Sequence, residues 1–475
     1  MTAIIRLNAV ASVLFLAACR LQAQTLEPPP LFVEGYTTQL SYAPGEEVTL
    51  CVSTSAARFG AEIARIGAKR EVVLAKKDLD GTKHRTPDEC SSHGCGWPTS
   101  FKFKIPNDWK SGYYSVALTA EDRGGAFVQR GKRTSASECF FVVRAANPGQ
   151  TSKILVQLCT NTYNAYNNWG GHSLYAFHAR NKLQGNRVSF DRPPSSQFDR
   201  WEQPFVAWAE SNGYRLEYAV NSDLEFRSEI LPAYKLVLSV GHDEYWSTPM
   251  RDNLEAFIAK GGNVCFFSGN TCCWQVRSEE QGRALTCWKQ SYNSDPVFQS
   301  ADHRLLSTLW GHHLVQRPEN TLTGVGFLWG GYHRSHGQFM DGSAAFTVHR
   351  PDHWTFAGTN LKRDEQFGGK DTIVGYECDG CEFSLDSSGL PKPTGNDGTP
   401  KDFLILGTCP ARWHPDDAFW YDRFPHDRTG AAVMGLYTKG GTVFTCGSTD
   451  WAHGLKGNDS HVAQITKNLL ERLGK

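Results

Sequence analysis

The chain has 475 residues, with 49 Lys and Arg set against 49 Asp and Glu, so its formal net charge is zero before its 16 His are counted. A protein built to hold nucleic acid carries an excess of positive charge to displace counterions, and this one has none. A hydrophobic content of 40% excludes a disordered chain and a multi-span membrane chain, and the length predicts roughly two or three domains.

Residues 1–23 read as an export signal. Arg6 supplies the positive end, residues 9–18 are apolar apart from Ser12, and small residues follow. That run is too short for a hydrocarbon core of about 30 Å. Leu16-Ala17-Ala18-Cys19 also has the form of a bacterial lipobox, in which Cys19 would take a lipid anchor; cleavage after Ala23 is the other reading. Both place the protein outside the cytoplasm: secreted, periplasmic or held on the outer membrane. Of 14 cysteines, 13 remain beyond Cys19, and in an oxidising compartment most are expected in disulfides. Cys51 with Cys139 suits an inter-sheet bridge, Cys90 and Cys95 flank a polar loop, Cys272 and Cys273 are adjacent, and Cys378-Asp-Gly-Cys381 has CxxC spacing. A single CxxC pair is weak as a zinc signal, so structural disulfides are the reading taken.

Beyond the Pro28-Pro29-Pro30 spacer, residues 32–144 form short alternating segments separated by turn signals, without a helical period. This predicts an immunoglobulin-like β-sandwich over 32–145, with Asn147-Pro148-Gly149 as the boundary. From 150 to 475 buried strands alternate with helices. Strands are expected at 154–158, 216–220, 235–240 and 264–267. A helix over 200–212 carries Trp201, Phe205, Trp208 and Ala209 on one face, and one over 249–260 turns Met250, Leu254, Phe257 and Ile258 inward. Short strand–helix–strand connections predict parallel pairing with helices on both faces. Late strands at 403–406 and 442–445 and a closing helix over 461–473 complete the domain. Residues 271–400 have weak periodicity and predict β-rich insertions. The fold class is therefore α+β and multidomain.

Five constellations carry chemistry. Gly241-His242-Asp243-Glu244-Tyr245-Trp246-Ser247 falls where a buried strand ends and a helix begins, the edge at which open α/β sheets bind ligands. The plain alternative is that Asp243 or Ser247 caps the helix. Residues 160–171, rich in Asn and Tyr, follow another strand and should face the same crevice; turn-forming is their ordinary use. Asn270 ends Phe267-Ser268-Gly269-Asn270, where an amide can hold a carbonyl or an oxyanion. Glu377, in Val374-Gly375-Tyr376-Glu377-Cys378-Asp379, can act as a base or pair with an Arg. Gly447-Ser448-Thr449-Asp450-Trp451 ends a late strand.

Taken in order, T-N-T-Y-N-A-Y-N-N-W-G-G-H-S-L-Y, G-H-D-E-Y-W-S, G-G-N-V-C-F-F-S-G-N, V-G-Y-E-C-D and G-S-T-D-W-A-H-G-L resemble the large (beta) subunit of N,N-dimethylformamidase and its relatives, over roughly residues 150–475 and more loosely at Ser111-Gly112-Tyr113-Tyr114. The resemblance implies a domain like the class I glutamine amidotransferases, and amide hydrolysis at one ferric iron, Fe(3+), held by two tyrosines and a glutamate. Carried over by motif, Glu244 would be the carboxylate ligand, Tyr166 (with Tyr163 as the alternative) one phenolate, and Tyr114 the other. His242, Asn270 and Glu377 would be the catalytic neighbours. Hard oxygen donors suit such an ion, and a cation would pull a tyrosine far below its usual pKa of about 10. The substrate would be a small-molecule amide. A homo-oligomer is compatible with the sequence, which does not set the number of copies. Departures from the family pattern are the export signal, the extra cysteines and a loop over 124–137 that has the look of an insertion.

Two other readings compete. A cysteine nucleophile, as in the amidotransferases, needs a sharp strand-to-helix turn, but Cys265 lies within a strand and Cys272-Cys273 lacks flanking glycines. A non-enzymatic, exported carbohydrate- or matrix-binding protein would use the 14 Trp for sugar stacking.

Overall fold

Alternation of apolar and polar side chains organises the first part of the chain into strands. In the computed structural model, which describes residues 30–122, 133–333, 344–413, 421, 423 and 430–475, these are β1 (Val33–Thr37), β2 (Ser41–Tyr42), β3 (Glu47–Thr54), β4 (Arg58–Ile66), β5 (Arg70–Asp80), β6 (Phe101–Lys104), β7 (Gly112–Asp122) and β8 (Arg133–Val143). The export signal, Cys19 and residues 124–132 of the expected insertion lie outside the described residues; the rest of that segment, from Arg133, belongs to β8. The strands form two sheets, ordered β1-β3-β6 and β2-β8-β7-β4-β5. Both contribute to one core, Val48, Leu50 and Val52 from the first and Ile63, Val116, Leu118 and Phe141 from the second.

The next part alternates strand and helix: β9 (Ile154–Leu158), α1 (Thr160–Tyr166), α2 (Glu202–Ser211), β10 (Glu217–Val220), β11 (Leu236–His242), α3 (Thr248–Ala259), β12 (Asn263–Gly269), β13 (Phe346–Val348), β14 (Gln366–Phe367), β15 (Leu404–Ala411), β16 (Gly430–Lys439), β17 (Gly441–Thr445), α4 (Trp451–Lys456) and α5 (Ser460–Leu473). One nine-stranded sheet runs β10-β9-β11-β12-β17-β16-β15-β13-β14. Its central strands are apolar on both faces because both are covered. Leu236, Leu238 and Val240 of β11 face one core with Phe205 and Val206 of α2 and Ile465 and Leu469 of α5. Val237 faces the other core with Met250, Leu254 and Ile258 of α3. The helical periods expected for α2, α3 and α5 thus match the faces they bury.

The sheet departs from an all-parallel one. Strands β10, β9, β11, β12 and β17 pair in parallel, but β16, β15, β13 and β14 are antiparallel. The reason is a tight hairpin: Lys439 pairs with Gly441 across Gly440, and so short a connection can only reverse the chain. A second departure is α1. Read as a loop, it forms two turns of buried helix.

None of the 13 described cysteines is bonded in a disulfide, although the thiols of Cys90 and Cys95, one of the expected pairs, lie against each other. Cys51 and Cys139 face different clusters, the first with Tyr36 and Trp97 and the second in the sandwich core, so they are not presented to each other across the sheets. All 13 are buried.

The strands 33–143 are tied to the nine-stranded sheet by packing and by charge. Tyr113 stacks on Phe198 with centroids 4.0 Å apart. Asp223, fully buried, accepts from the Ser41 hydroxyl at 2.7 Å and the Val220 amide at 2.9 Å, and lies 3.5 Å from Arg144. Removing one member of a buried ionic group strands the rest. Asp223→Ala should therefore lower the free energy of unfolding by about 3 kcal/mol, read as a shift in the urea midpoint; a surface-like change of a few tenths would contradict this account of the junction.

Candidate active site

The carboxyl ends of β11 and β12 carry the motifs. Gly241 has φ +84°, and a Cβ there would stand 2.4 Å from Trp201 Cβ, so a glycine lets the strand end pass against the start of α2. At Gly269 a Cβ would meet Thr449 N at 2.4 Å and Glu377 O at 2.6 Å, so three of the five motif loops touch there. Asp450 ties the bundle together. It accepts from Trp201 Nε1 at 2.9 Å and from the Tyr376 amide at 2.8 Å.

His242, Glu244 and Glu377 meet at this convergence, each no more than 4% exposed. His242 Nε2 lies 2.7 Å from Glu377 Oε2 and 3.3 Å from Glu244 Oε2. Neither contact has hydrogen-bond alignment, and His242 Nδ1 has no protein partner. Burial alone would lower the His242 pKa, but the charges of Glu377 and Glu244 outweigh it and the net shift is upward. Burial pushes Glu244 up, against the pull of His242 and Lys289. Tyr166, Tyr175 and Tyr376 stand half-buried around the group, with Tyr166 and Tyr376 ring centroids 5.5 and 5.6 Å from His242. Burial and then the Glu244 charge push Tyr166 and Tyr175 well above the usual phenol range; Tyr376 is raised by burial first and then by Glu377.

Glu244 is the most heavily supported residue. Tyr175 OH donates to both carboxylate oxygens at 2.9 Å, and Trp274 Nε1 donates to Oε1 at 2.7 Å. Its backbone amide donates to Thr162 Oγ1 of α1 at 2.9 Å. Behind it, the buried Lys289 ammonium donates to Tyr245 OH at 2.9 Å and rests 3.4 Å from the Tyr175 ring centroid. An ammonium can only donate, so Tyr245 must accept from it and turn its own hydroxyl to Tyr175, 2.7 Å away. Tyr175 in turn is left to donate to Glu244. One lysine thus sets the direction of the whole chain.

Of the residues expected at the site, the structure brings together His242, Glu244, Glu377 and Tyr166. Asn270, 1% exposed and with φ +50°, directly follows β12 beside them; its Oδ1 has no protein partner. Tyr163 turns away and bonds Glu202. Tyr114 is a correction. Its ring is stacked between Trp109 and Phe141 in the sandwich core, and its hydroxyl donates to the Lys110 carbonyl at 2.7 Å. It neighbours Arg65 and Glu71, by the start of β10, at the edge of the sheet opposite to His242. Burial pushes the thiols of Cys265 and Cys273 well above their usual range, so neither is the activated thiolate that a cysteine enzyme needs. Tyr175, Tyr245 and Tyr376 stood inside the quoted motifs without an assigned part, whereas Lys289 and Trp274 come from a stretch with no periodic signal. Among the described residues no three His, Cys, Asp or Glu side chains are grouped as a metal cage; a donor set here has to draw on the phenols.

A family model described as N,N-dimethylformamidase beta subunit-like, C-terminal, matches residues 60–464. The chain belongs to this family. Beta subunits of N,N-dimethylformamidase from an Alcaligenes species and from Paracoccus aminophilus are each 23% identical to it, over 80% of this chain and 55% of theirs. The chain thus spans about half the length of the curated relatives it matches. Among solved structures, a β-D-glucuronidase of Dictyoglomus thermophilum aligns over 50% of this chain and 44% of its own, at 8% identity and a TM-score of 0.14, and contributes nothing to the fold assignment.

Glu202, at the start of α2, is buried and its pKa is pushed up from 4.5 to about 7 by desolvation, against the hydrogen bond from Tyr163. A carboxyl whose folded pKa is raised contributes stability that is fully present below its unfolded pKa and lost as pH rises through the folded value. The melting temperature should therefore fall between about pH 5 and pH 8, and Glu202→Gln should remove about one proton's worth of that slope. An unchanged slope in the variant would show that Glu202 is ionised throughout.

Proposed function

We propose that this chain hydrolyses an amide-type C–N bond of a small molecule at a site that takes ferric iron. The observation that carries the reading is the His242, Glu244 and Glu377 group, buried at the strand ends with His242 Nε2 2.7 and 3.3 Å from the two carboxylates. The reaction class comes from the relatives, which are named as N,N-dimethylformamidase subunits. Iron is supported by donor chemistry: a carboxylate and phenol oxygens are what a hard trivalent ion takes. Glu244 and Tyr166 would hold it, with Tyr376 in the place expected for Tyr114. Tyr175 suits that part less, since its hydroxyl donates to Glu244 and accepts from Tyr245. Bound there, the ion would supply Lewis acidity to the substrate carbonyl.

The chain's own residues supply the rest. Asn270 follows β12 with an amide oxygen that no protein group partners, and this amide would orient the substrate. Glu377 would take a proton from the attacking water as its oxygen bonds to the carbonyl carbon. His242, whose charged form the two adjacent carboxylates favour, would pass a proton to the leaving nitrogen as the C–N bond breaks, giving an acid and an amine. Tyr166, Trp201 and Tyr376 pack around the imidazole and limit water there. The same reading takes the sandwich as immunoglobulin-like, the α/β part as class I glutamine amidotransferase-like, the protein as exported, and the working form as an assembly, because the relatives are named as subunits.

Glu244→Ala and Tyr166→Phe should each lose bound iron, the tyrosinate-to-iron visible band and turnover of N,N-dimethylformamide by at least about 100-fold, while circular dichroism is unchanged. Tyr114→Phe should keep all three. Full iron content in either of the first two variants, or its loss in the third, contradicts the assignment.

A further inference from the structure

A second cleft lies far from this chemistry. It opens between the sandwich and the α/β sheet, next to Leu216 before β10, whereas His242 and Asn270 stand at the carboxyl ends of their strands. Its volume is about 600 Å³, inside the range of small-molecule sites. The connection between the two parts of the chain contributes Asn147 and Gln150 to its wall.

Three features describe the ligand. The first is a pair of half-buried aromatic rings, one from each side of the junction. Trp109 is backed by Tyr114, parallel at 5.0 Å, and Tyr214 by Trp208 at 5.9 Å, so both rings are held in place from behind. Rings fixed in this way offer a flat apolar surface to a partner that is itself flat and partly apolar. The second is charge. Three acidic side chains, Glu71, Asp108 and Glu210, face three basic ones, Arg65, Lys110 and Arg215. Arg65 and Glu210 are already spent on each other at 2.5 Å in the floor, with Arg65 Nε also donating to the Ser111 carbonyl. A wall with no net charge gives no preference to an anion or a cation. The third is the rim, where the amides of Asn107 and Gln150 are exposed. An amide donates and accepts at once, which matches hydroxyl groups that do the same.

We propose that this cleft binds a neutral saccharide, with ring faces against Trp109 and Tyr214 and hydroxyls on the Asn107 and Gln150 amides. Sugars meet all three conditions: one face of C–H groups, no charge, and hydroxyls around the edge. The inference does not depend on the hydrolase reading, because no residue of the cleft belongs to the His242 group.

The test is a titration of the purified full-length chain with xylohexaose, cellohexaose and chitohexaose, followed by calorimetry and tryptophan fluorescence. At least one should bind and perturb the fluorescence, and the rim variant N107A/Q150A should weaken that binding by about tenfold without moving the melting temperature. Trp109→Leu should abolish it; because this change also touches the sandwich core, the rim variant carries the decision if Trp109→Leu fails to fold. No heat with any of the three sugars overturns the proposal. So does binding that N107A/Q150A leaves unchanged, or binding lost in Glu244→Ala, which would place the sugar at the catalytic group instead.

Discussion

The structure of the site follows from one cost, that of keeping His242, Glu244, Glu377 and Lys289 together with at most 4% of each exposed. An ion taken from water loses several kcal/mol of solvation, and only close partners restore it. Glu244 receives Tyr175, Trp274 and the imidazole; Lys289 receives a phenol oxygen and aromatic faces. Because the lysine can only donate, the hydroxyls of Tyr245 and Tyr175 have one orientation open to them, and the carboxylate is held from one side. His242 Nδ1 and Asn270 Oδ1, which have no protein partner, gather at the strand ends beside Glu377. Groups that the fold leaves unpaired at such a cost are the ones a ligand can use.

The sheet is what makes this arrangement affordable in conformational terms. Parallel strands β9, β11 and β12 run side by side, so the loops after them leave the same edge. The antiparallel half brings a further loop to the same place, with Thr449 and Asp450 following β17. Gly241 and Gly269 permit contacts too close for any side chain, which is why both stand inside motifs rather than between them.

Much of this was readable from residue types. Apolar runs bounded by turns located β9, β11 and β12, and the three-to-four residue period located α2, α3 and α5, because burial on both sheet faces demands those patterns. His242, Glu244 and Asn270 were found from their position after strands, and Glu377 from its motif. The parts that escaped have physical causes. The period of a strand does not say whether its neighbour runs parallel, so the reversal at Gly440 was invisible. Tyr114 matched a motif, but one residue of alternation decides whether a strand side chain enters the sandwich core, and it does. A buried cysteine and a disulfide cysteine have the same neighbours in sequence. Lys289 leaves no signal because a lone lysine is ordinarily solvated, and only the folded chain shows the rings and the phenol that replace its water.

The central claim is that Glu244 and its surrounding phenols form a ferric site. X-ray diffraction from crystals of the purified protein, with data collected on both sides of the iron absorption edge, tests it most directly. The account predicts an anomalous peak that appears only above the edge, bonded to the Glu244 carboxylate and to the Tyr166 oxygen. A fully occupied peak bonded elsewhere, or no peak in protein grown with iron supplied, would contradict it.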